Sequence, residues 1–250
     1  MRLHRRRMEG WDAAAKQDAI YYVPGGRRWT EEEFFNSGVK EAEEFTRSFF
    51  SQMDFDPCGK RMLEIGCGIG RTTRAFADMF GEAYGVDFST EMIEKAKQFN
   101  KGKPHLFFIT NNGVDLSIFE DDFFDFCFSL ACFEHIPDFT IIESYIREIG
   151  RVLKPGGLFK FHVAGCKWAP VIPIIPRSLY NFLLRAGLVD KFAKLRFRGD
   201  TIKQKSQPII LLSKAKLETM IRKTSLEIVE ITGENTYGMF CSGYKRQQAI

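Results

Sequence analysis

No two of the six cysteines (Cys58, Cys67, Cys127, Cys132, Cys166 and Cys241) form a C-x-x-C pair, so neither a zinc knuckle nor a redox motif is encoded. Two of them fall inside apolar runs that read as core strands. Reduced thiols in a cytoplasmic protein fit this usage better than a disulfide framework, and no metal site is expected. No stretch approaches the roughly 18 apolar residues of a membrane span. The basic start, "MRLHRRRMEGWD", is not followed by the apolar segment of a secretory leader, and a frayed, disordered tail is expected there. Net charge is also in short supply. Against 32 acidic residues stand 36 Lys and Arg, a net charge of +4, too slight and too scattered to signal a nucleic-acid partner. Internal repeats and low-complexity linkers are missing as well.

What is present is apolar and aromatic. The 250 residues are 44% hydrophobic and include 25 Phe, enough for one well-buried core rich in rings. After the candidate N-cap Thr30, residues Phe34, Phe35, Val39, Phe45 and Phe49 recur at roughly helical spacing. From Arg61 apolar and amphipathic runs alternate. "RMLEIG", "EAYGVD", "HLFFIT", "FDFCFSLA" and "GGLFKFHV" read as strands. "RTTRAFADMF", "STEMIEKAKQF" (capped by Ser89) and "FTIIESYIREIGRVL" read as helices. Nearly continuous apolar strands between helices predict a parallel sheet covered on both faces. At the far end "SKAKLETMIRKT" reads as a helix, and "SLEIVEIT" and "TYGMFCSGYKR" as strands joined by "GEN". So short a link makes those two strands antiparallel.

The informative stretch is "MLEIGCGIGRTT", Met62 to Thr73. A strand here gives way to a helix through Gly66, Gly68 and Gly70, where missing Cβ atoms let a ligand approach the backbone. Asp87 ends the next strand, 21 residues beyond Gly66 by position, where a carboxylate can accept both hydroxyls of a ribose. Only one residue separates the last two glycines, whereas the nicotinamide fingerprint has two. Glu64, just ahead of the loop, would repel a pyrophosphate. Both features favour a cationic nucleoside over a dinucleotide.

"LEIGCGIG" with "YGVD" resembles the class I S-adenosylmethionine-dependent methyltransferases, most closely the small-molecule branch with the type 11 pattern. The likeness continues through "NNGVDL", "FDFCFSLACFEHIPD" and "REIGRVLKPGGLFKF", over about residues 60–163. It implies an α/β, Rossmann-like, doubly wound seven-stranded sheet in the order 3-2-1-4-5-7-6, with the last strand antiparallel and helices on both faces. It further implies S-adenosylmethionine as methyl donor. Glu64, Gly66, Cys67, Gly68 and Gly70 would wrap the methionine moiety, with Glu64 near its ammonium. Asp87 would hold the ribose hydroxyls and Phe88 would lie on the adenine. Asn112 stands where the family usually has an Asp facing the adenine amino group, and Gly113 would offer its N–H to the ring. Ser129 and Leu130 would flank the carboxylate and sulfonium.

A single domain is expected, with an N-terminal helical cover over 1–55, a donor-binding core over 56–163, a substrate-lid insertion over 164–212, and a final helix and hairpin over 213–250. Tyr21, Tyr22 and Trp29 are candidate pocket walls in the cover. In the insertion, nine basic residues against two acidic ones leave a local charge of plus seven. It is read as a lid over an apolar or aromatic small-molecule acceptor, with Arg177, Arg196 or Arg198 meeting an anionic group, or as a surface resting peripherally on a membrane. His135, after the fourth strand in "CFEHIPD", is the candidate general base, and His162 reads as a core histidine. Cys132 lacks the Pro-Cys setting of cytosine methyltransferases. The expected activity is methyl transfer to O or N of a small organic molecule. An RNA or protein methyltransferase working through the basic insertion, and a non-catalytic nucleoside-binding module, are the alternatives.

Overall fold

The computed structural model describes residues 2–23, 28–136, 138–165, 211–234 and 238–247. Most of the expected lid lies outside them, with "WAPVIPIIP", Arg177, Arg196, Arg198 and Cys166. In chain order the elements are α1 (Arg2–Tyr22), α2 (Glu31–Gln52), β1 (Arg61–Ile65), α3 (Arg71–Ala77), β2 (Glu82–Asp87), α4 (Thr90–Phe99), β3 (Leu106–Thr110) and β4 (Phe124–Ser129). A 3-10 turn (Phe133–His135), α5 (Phe139–Val152), β5 (Leu153–Val163), α6 (Lys214–Ile221), β6 (Leu226–Thr232) and β7 (Met239–Lys245) complete the set. Among the described residues no helix is long and apolar enough to cross a membrane.

The strands form one sheet in the order β3-β2-β1-β4-β5-β7-β6, as the resemblance implied. β1 to β5 pair in parallel, while β7 runs antiparallel to both neighbours. Strand order reverses between β1 and β4, so a crevice opens there at the carboxyl ends of the strands.

Each face of the sheet has its own core. Phe126 on β4 packs against Phe50, Phe76 and Phe80 with ring centroids 4.9, 6.0 and 5.8 Å away, joining α2 and α3 to the sheet. On the other face Ile142, Tyr145, Ile146 and Ile149 of α5 pack with Leu217 and Ile221 of α6. Aromatic pairs at these separations add to simple area burial.

α2 begins where Thr30 predicts it. The Thr30 side chain accepts from the Glu33 N–H while Glu33 reaches back to the Thr30 N–H, a reciprocal cap. The buried stripe runs through Phe34, Phe35, Gly38, Ala42, Thr46, Phe49 and Phe50. Val39, expected on it, is 44% exposed instead. Its neighbour Gly38 takes the inward position, because a Cβ there would fall on the Arg71 carbonyl. Only a bare residue lets α2 and α3 approach so closely.

The basic start does not fray: Arg2–Tyr22 is helical. Ala15 and Ala19 are buried and pack with Ile69 and Met92, with Trp11 and Val23 alongside, so apolar contacts outside the tail's own charge pattern hold the helix. Asp18 leaves helical geometry, and its carboxylate accepts the Tyr21 N–H at 3.1 Å, restarting the last turn.

Phe126→Ala removes the ring shared by three others and should cost about 3–5 kcal/mol in urea unfolding. A loss below ~1 kcal/mol would show that this core is not close-packed.

Candidate functional site

The crevice between β1 and β4 deepens into a cleft of about 1000 Å³, open mouth included. Its floor is the glycine turn. Gly66, Gly68 and Gly70 all have positive φ (78, 54 and 82°), which explains three glycines at alternate positions. Gly66 and Cys67 both donate to the Val86 carbonyl, at 2.8 and 3.0 Å, pinning the turn to β2. A Cβ on Gly66 would fall on the Cys132 sulfur.

Asp87 locks the turn from the side. One carboxylate oxygen accepts the Gly68 N–H at 2.9 Å and the other the Ser89 N–H at 2.9 Å. Burial pushes its pKa up to about 6, against the pull of backbone N–H donors from Ser89, Gly68 and Phe88. Glu64, on β1, is 2% exposed and accepts from the hydroxyls of Thr72 and Thr73, the latter at 2.5 Å. Burial raises its pKa to about 7, offset in part by those hydroxyls and by Arg71. Two carboxylates thus border one cleft, each costly to ionise until something positive or hydrogen-donating arrives. Arg71 also lines the cleft but is paired with Glu41 of α2 at 2.5 Å.

Of the residues singled out from sequence, Glu64, Gly66, Cys67, Gly68, Asp87, Phe88, Gly113, Leu130 and His135 line this cleft. Gly70, Asn112 and Ser129 are not among the lining residues. Gly70 is the left-handed cap of α3, and its bareness makes room for the Phe108 ring. The Asn112 side-chain oxygen, expected to face adenine, accepts the Val114 and Asp115 N–H groups at 2.8 and 3.0 Å in a local turn. The Gly113 N–H, expected to face the ring, donates to the Asn111 side chain at 3.1 Å. The Ser129 hydroxyl is buried and donates to the Ile65 carbonyl at 2.9 Å, joining the ends of β4 and β1.

Sequence reasoning missed Trp11, Val23, Arg71, Thr72, Met92, Ala131, Cys132, Ile136 and Tyr145 as lining groups. Trp11 sits in the basic start, read as a tail, and Val23 directly follows the two tyrosines read as pocket walls. The walls proposed from the same region sit elsewhere. Tyr21 and Tyr22 pack on each other 5.0 Å apart, and Trp29 joins the cluster around Phe34. Tyr145 is buried on α5, where its hydroxyl accepts from the Asn111 amide at 2.9 Å. Ala131 has φ 52°, a costly left-handed conformation for a residue with a Cβ, in the turn that carries β4 over the cleft. The Cys132 thiol beside it is held protonated by burial first, with Asp87 next.

His135 sits in the 3-10 turn, its ring edge-on to Trp11 with centroids 5.7 Å apart. Behind it lies Glu134, 4% exposed, with one oxygen 3.4 Å from His135 Nε2 and the other 3.6 Å from His162 Nδ1.

Residues 63–161 match the family model described as a methyltransferase domain. Phosphoethanolamine N-methyltransferase 2 of Caenorhabditis elegans is 39% identical over 106 residues, 42% of this chain and 23% of that protein. The 2-methyl-6-phytyl-1,4-hydroquinone methyltransferase of Synechocystis sp. is 31% identical over 107 residues, 42% of this chain and 32% of its own length. The chain therefore spans well under two thirds of these relatives. Among solved structures, magnesium protoporphyrin IX methyltransferase (ChlM) from Synechocystis PCC 6803 with bound SAH superposes with a TM-score of 0.57 at 15% identity, covering 90% of this chain and 91% of that one. The DhpI-SAH complex gives 0.60 at 16% identity, covering 98% and 97%.

The protonated Glu64 has a consequence for stability. Its folded-state pKa lies above the ordinary 4.5, so its contribution is complete below that pH and is lost as pH rises through about 7. Unfolding free energy measured across this window should fall with rising pH, and Glu64→Gln should flatten that fall. An unchanged slope would show Glu64 ionised throughout.

Proposed function

We propose that this chain is a class I S-adenosylmethionine-dependent methyltransferase, whose cleft binds that sulfonium nucleoside and passes its methyl group to O or N of a small organic acceptor; the match of residues 63–161 to the methyltransferase domain supports this reading. The observation that carries this reading is the Asp87 carboxylate bonded to the Gly68 N–H inside a cleft that also holds the buried Glu64. The donor set suits the ligand. Ribose hydroxyls can donate to the cleft edge of Asp87, and an ammonium near Glu64 would stabilise its ionised form. Phe88 and Met92 offer apolar surface for a purine, and Leu130 with Cys132 borders the place for the sulfonium. Gly70, Asn112 and Ser129 serve this site as supports of the turns that shape it.

Methyl transfer needs no covalent chemistry from the protein. The acceptor lone pair attacks the methyl carbon in line as the carbon–sulfur bond breaks, so alignment and exclusion of water carry most of the catalysis. Trp11 of α1 and Val23 just after it line the cleft and contribute that exclusion. His135, in the lining, is the base proposed to act where the acceptor must lose a proton during transfer. The phosphoethanolamine and hydroquinone named in the relatives support a small-molecule substrate here, and the apolar part of the lining supports an aromatic one.

Asp87→Ala should weaken S-adenosylmethionine binding by on the order of 1–3 kcal/mol in calorimetry; unchanged affinity would remove Asp87 from the ribose site. Donor binding at neutral pH should also expel a proton as Glu64 ionises, seen as a buffer-dependent binding enthalpy. Glu64→Gln should abolish that release. Identical proton release in the variant would detach Glu64 from the ammonium.

A further inference from the structure

One edge of the sheet is bare. Among the described residues β3 is the end strand of the order and pairs only with β2, in parallel. The Ala83 N–H donates to the His105 carbonyl at 2.8 Å, and the Asn111 N–H to the Asp87 carbonyl at 3.0 Å. A parallel ladder uses alternate residues of a strand, so β2 engages the backbone of His105, Phe107, Ile109 and Asn111. The backbone groups of Phe108 and Thr110 and the Leu106 carbonyl therefore point away from the sheet; the Leu106 N–H closes a turn on Lys103 at 3.4 Å. Native edges are commonly guarded by Lys, Pro or a bulge, or are cut very short. "LFFIT" contains neither residue, β3 pairs with β2 without a register shift, and its five residues equal those of central β1. Apolar exposure gathers here too. Three of the five exposed large apolar side chains among the described residues, Phe107, Val114 and Ile118, belong to β3 or to the loop after it.

We propose that β3 is the seam of a homodimer, in which a second copy of this chain lays its own β3 antiparallel to the first across a two-fold axis beside Phe108. This assignment does not depend on the donor reading above. A two-fold axis demands antiparallel pairing, because a parallel ladder uses unlike residues on its two strands. Centred on Phe108, the register lets that residue exchange both backbone bonds with its counterpart. The Thr110 N–H of each copy then meets the Leu106 carbonyl of the other. Phe107 falls opposite Ile109 of the second copy, twice over by symmetry, at the closer positions between hydrogen-bonded pairs. An aromatic ring against a β-branched side chain is a favourable cross-strand pair. Both lie on the face where Phe107 stacks on Tyr84 with centroids 4.7 Å apart and Ile109 packs on the core beside Tyr84. The flanks match as well. Lys101 and Lys103 precede the strand and Asp115 follows it, so antiparallel copies bring each basic end to the other's acidic end. A strand from a different protein would require none of this self-complementarity. Gly113, just past β3, lines the cleft, so the seam also braces one of its walls.

The test uses the full chain in solution. Sedimentation from low to high micromolar concentration should show the mass doubling and stopping there. A chain that stays monomeric over this range, as it would if the edge served a different protein, overturns the proposal, and so does growth past two copies. Hydrogen exchange on the unmodified protein then locates the seam. As the dimer forms, the Phe108 and Thr110 N–H groups should slow on the order of 10-fold or more, while the Ile109 N–H, already bonded to β2, changes little. A dimer in which the two outward amides exchange as fast as in the monomer is joined elsewhere, and the proposal fails. Phe107→Lys places a charge against Ile109 and should weaken association on the order of 10-fold or more, whereas Phe107→Tyr should preserve it. Circular dichroism checks that both variants are folded; undiminished association in folded Phe107→Lys overturns the seam.

Discussion

One hydrogen bond organises the cleft: the Gly68 N–H donated to the carboxylate of Asp87. It joins the turn after β1 to the end of β2, and through the second oxygen it also fixes the start of α4. The turn could not sit there without its three left-handed glycines, and the carboxylate could not stay buried without those N–H donors. Loop and acid therefore define each other. Glu64 does the equivalent from below, tying β1 to the first turn of α3 through two threonine hydroxyls. Parallel strands supply the frame: β1 and β2 run in register from Arg61 opposite Glu82 to Ile65 opposite Val86, so their ends arrive together.

Much of this was legible in the sequence because it is local. Strand and helix periodicities, the reciprocal cap at Thr30, the cap at Ser89 and the antiparallel hairpin depend on neighbours within a few residues. The convergence of Gly68 and Asp87 is one step less local, and it could be inferred because a parallel sheet returns each strand end to the same edge. What escaped depends on contacts between distant segments. Val39 reads like Phe35 and Phe49, yet the stripe shifts to Gly38 because the Arg71 backbone presses in from α3. Asn112 reads as a ligand contact from its place in a motif. Its side-chain oxygen is used by two N–H groups only two and three residues on, a turn that competes with any ligand for the same acceptor.

The basic start shows the same limit from the other side. Its charges argue for solvent, and nothing in them reveals Trp11, Ala15 and Ala19 as a face. That face exists because Ile69 and Met92 are brought opposite to it by the fold. Likewise Glu134 and His162 stand 28 positions apart in sequence by subtraction of their numbers, and only the pairing of β4 with β5 brings them within reach.

The attachment of α1 separates the roof of the cleft from its floor. Asp12 accepts the Ser89 hydroxyl at 2.5 Å, and Lys16 reaches Glu91 at 3.1 Å, so α1 docks on a segment 77 residues further along the chain. The roof is held by side-chain contacts at the rim, whereas the glycine floor is built into the sheet itself. The shape of the cleft's mouth thus depends on one helix that contributes no strand to the sheet.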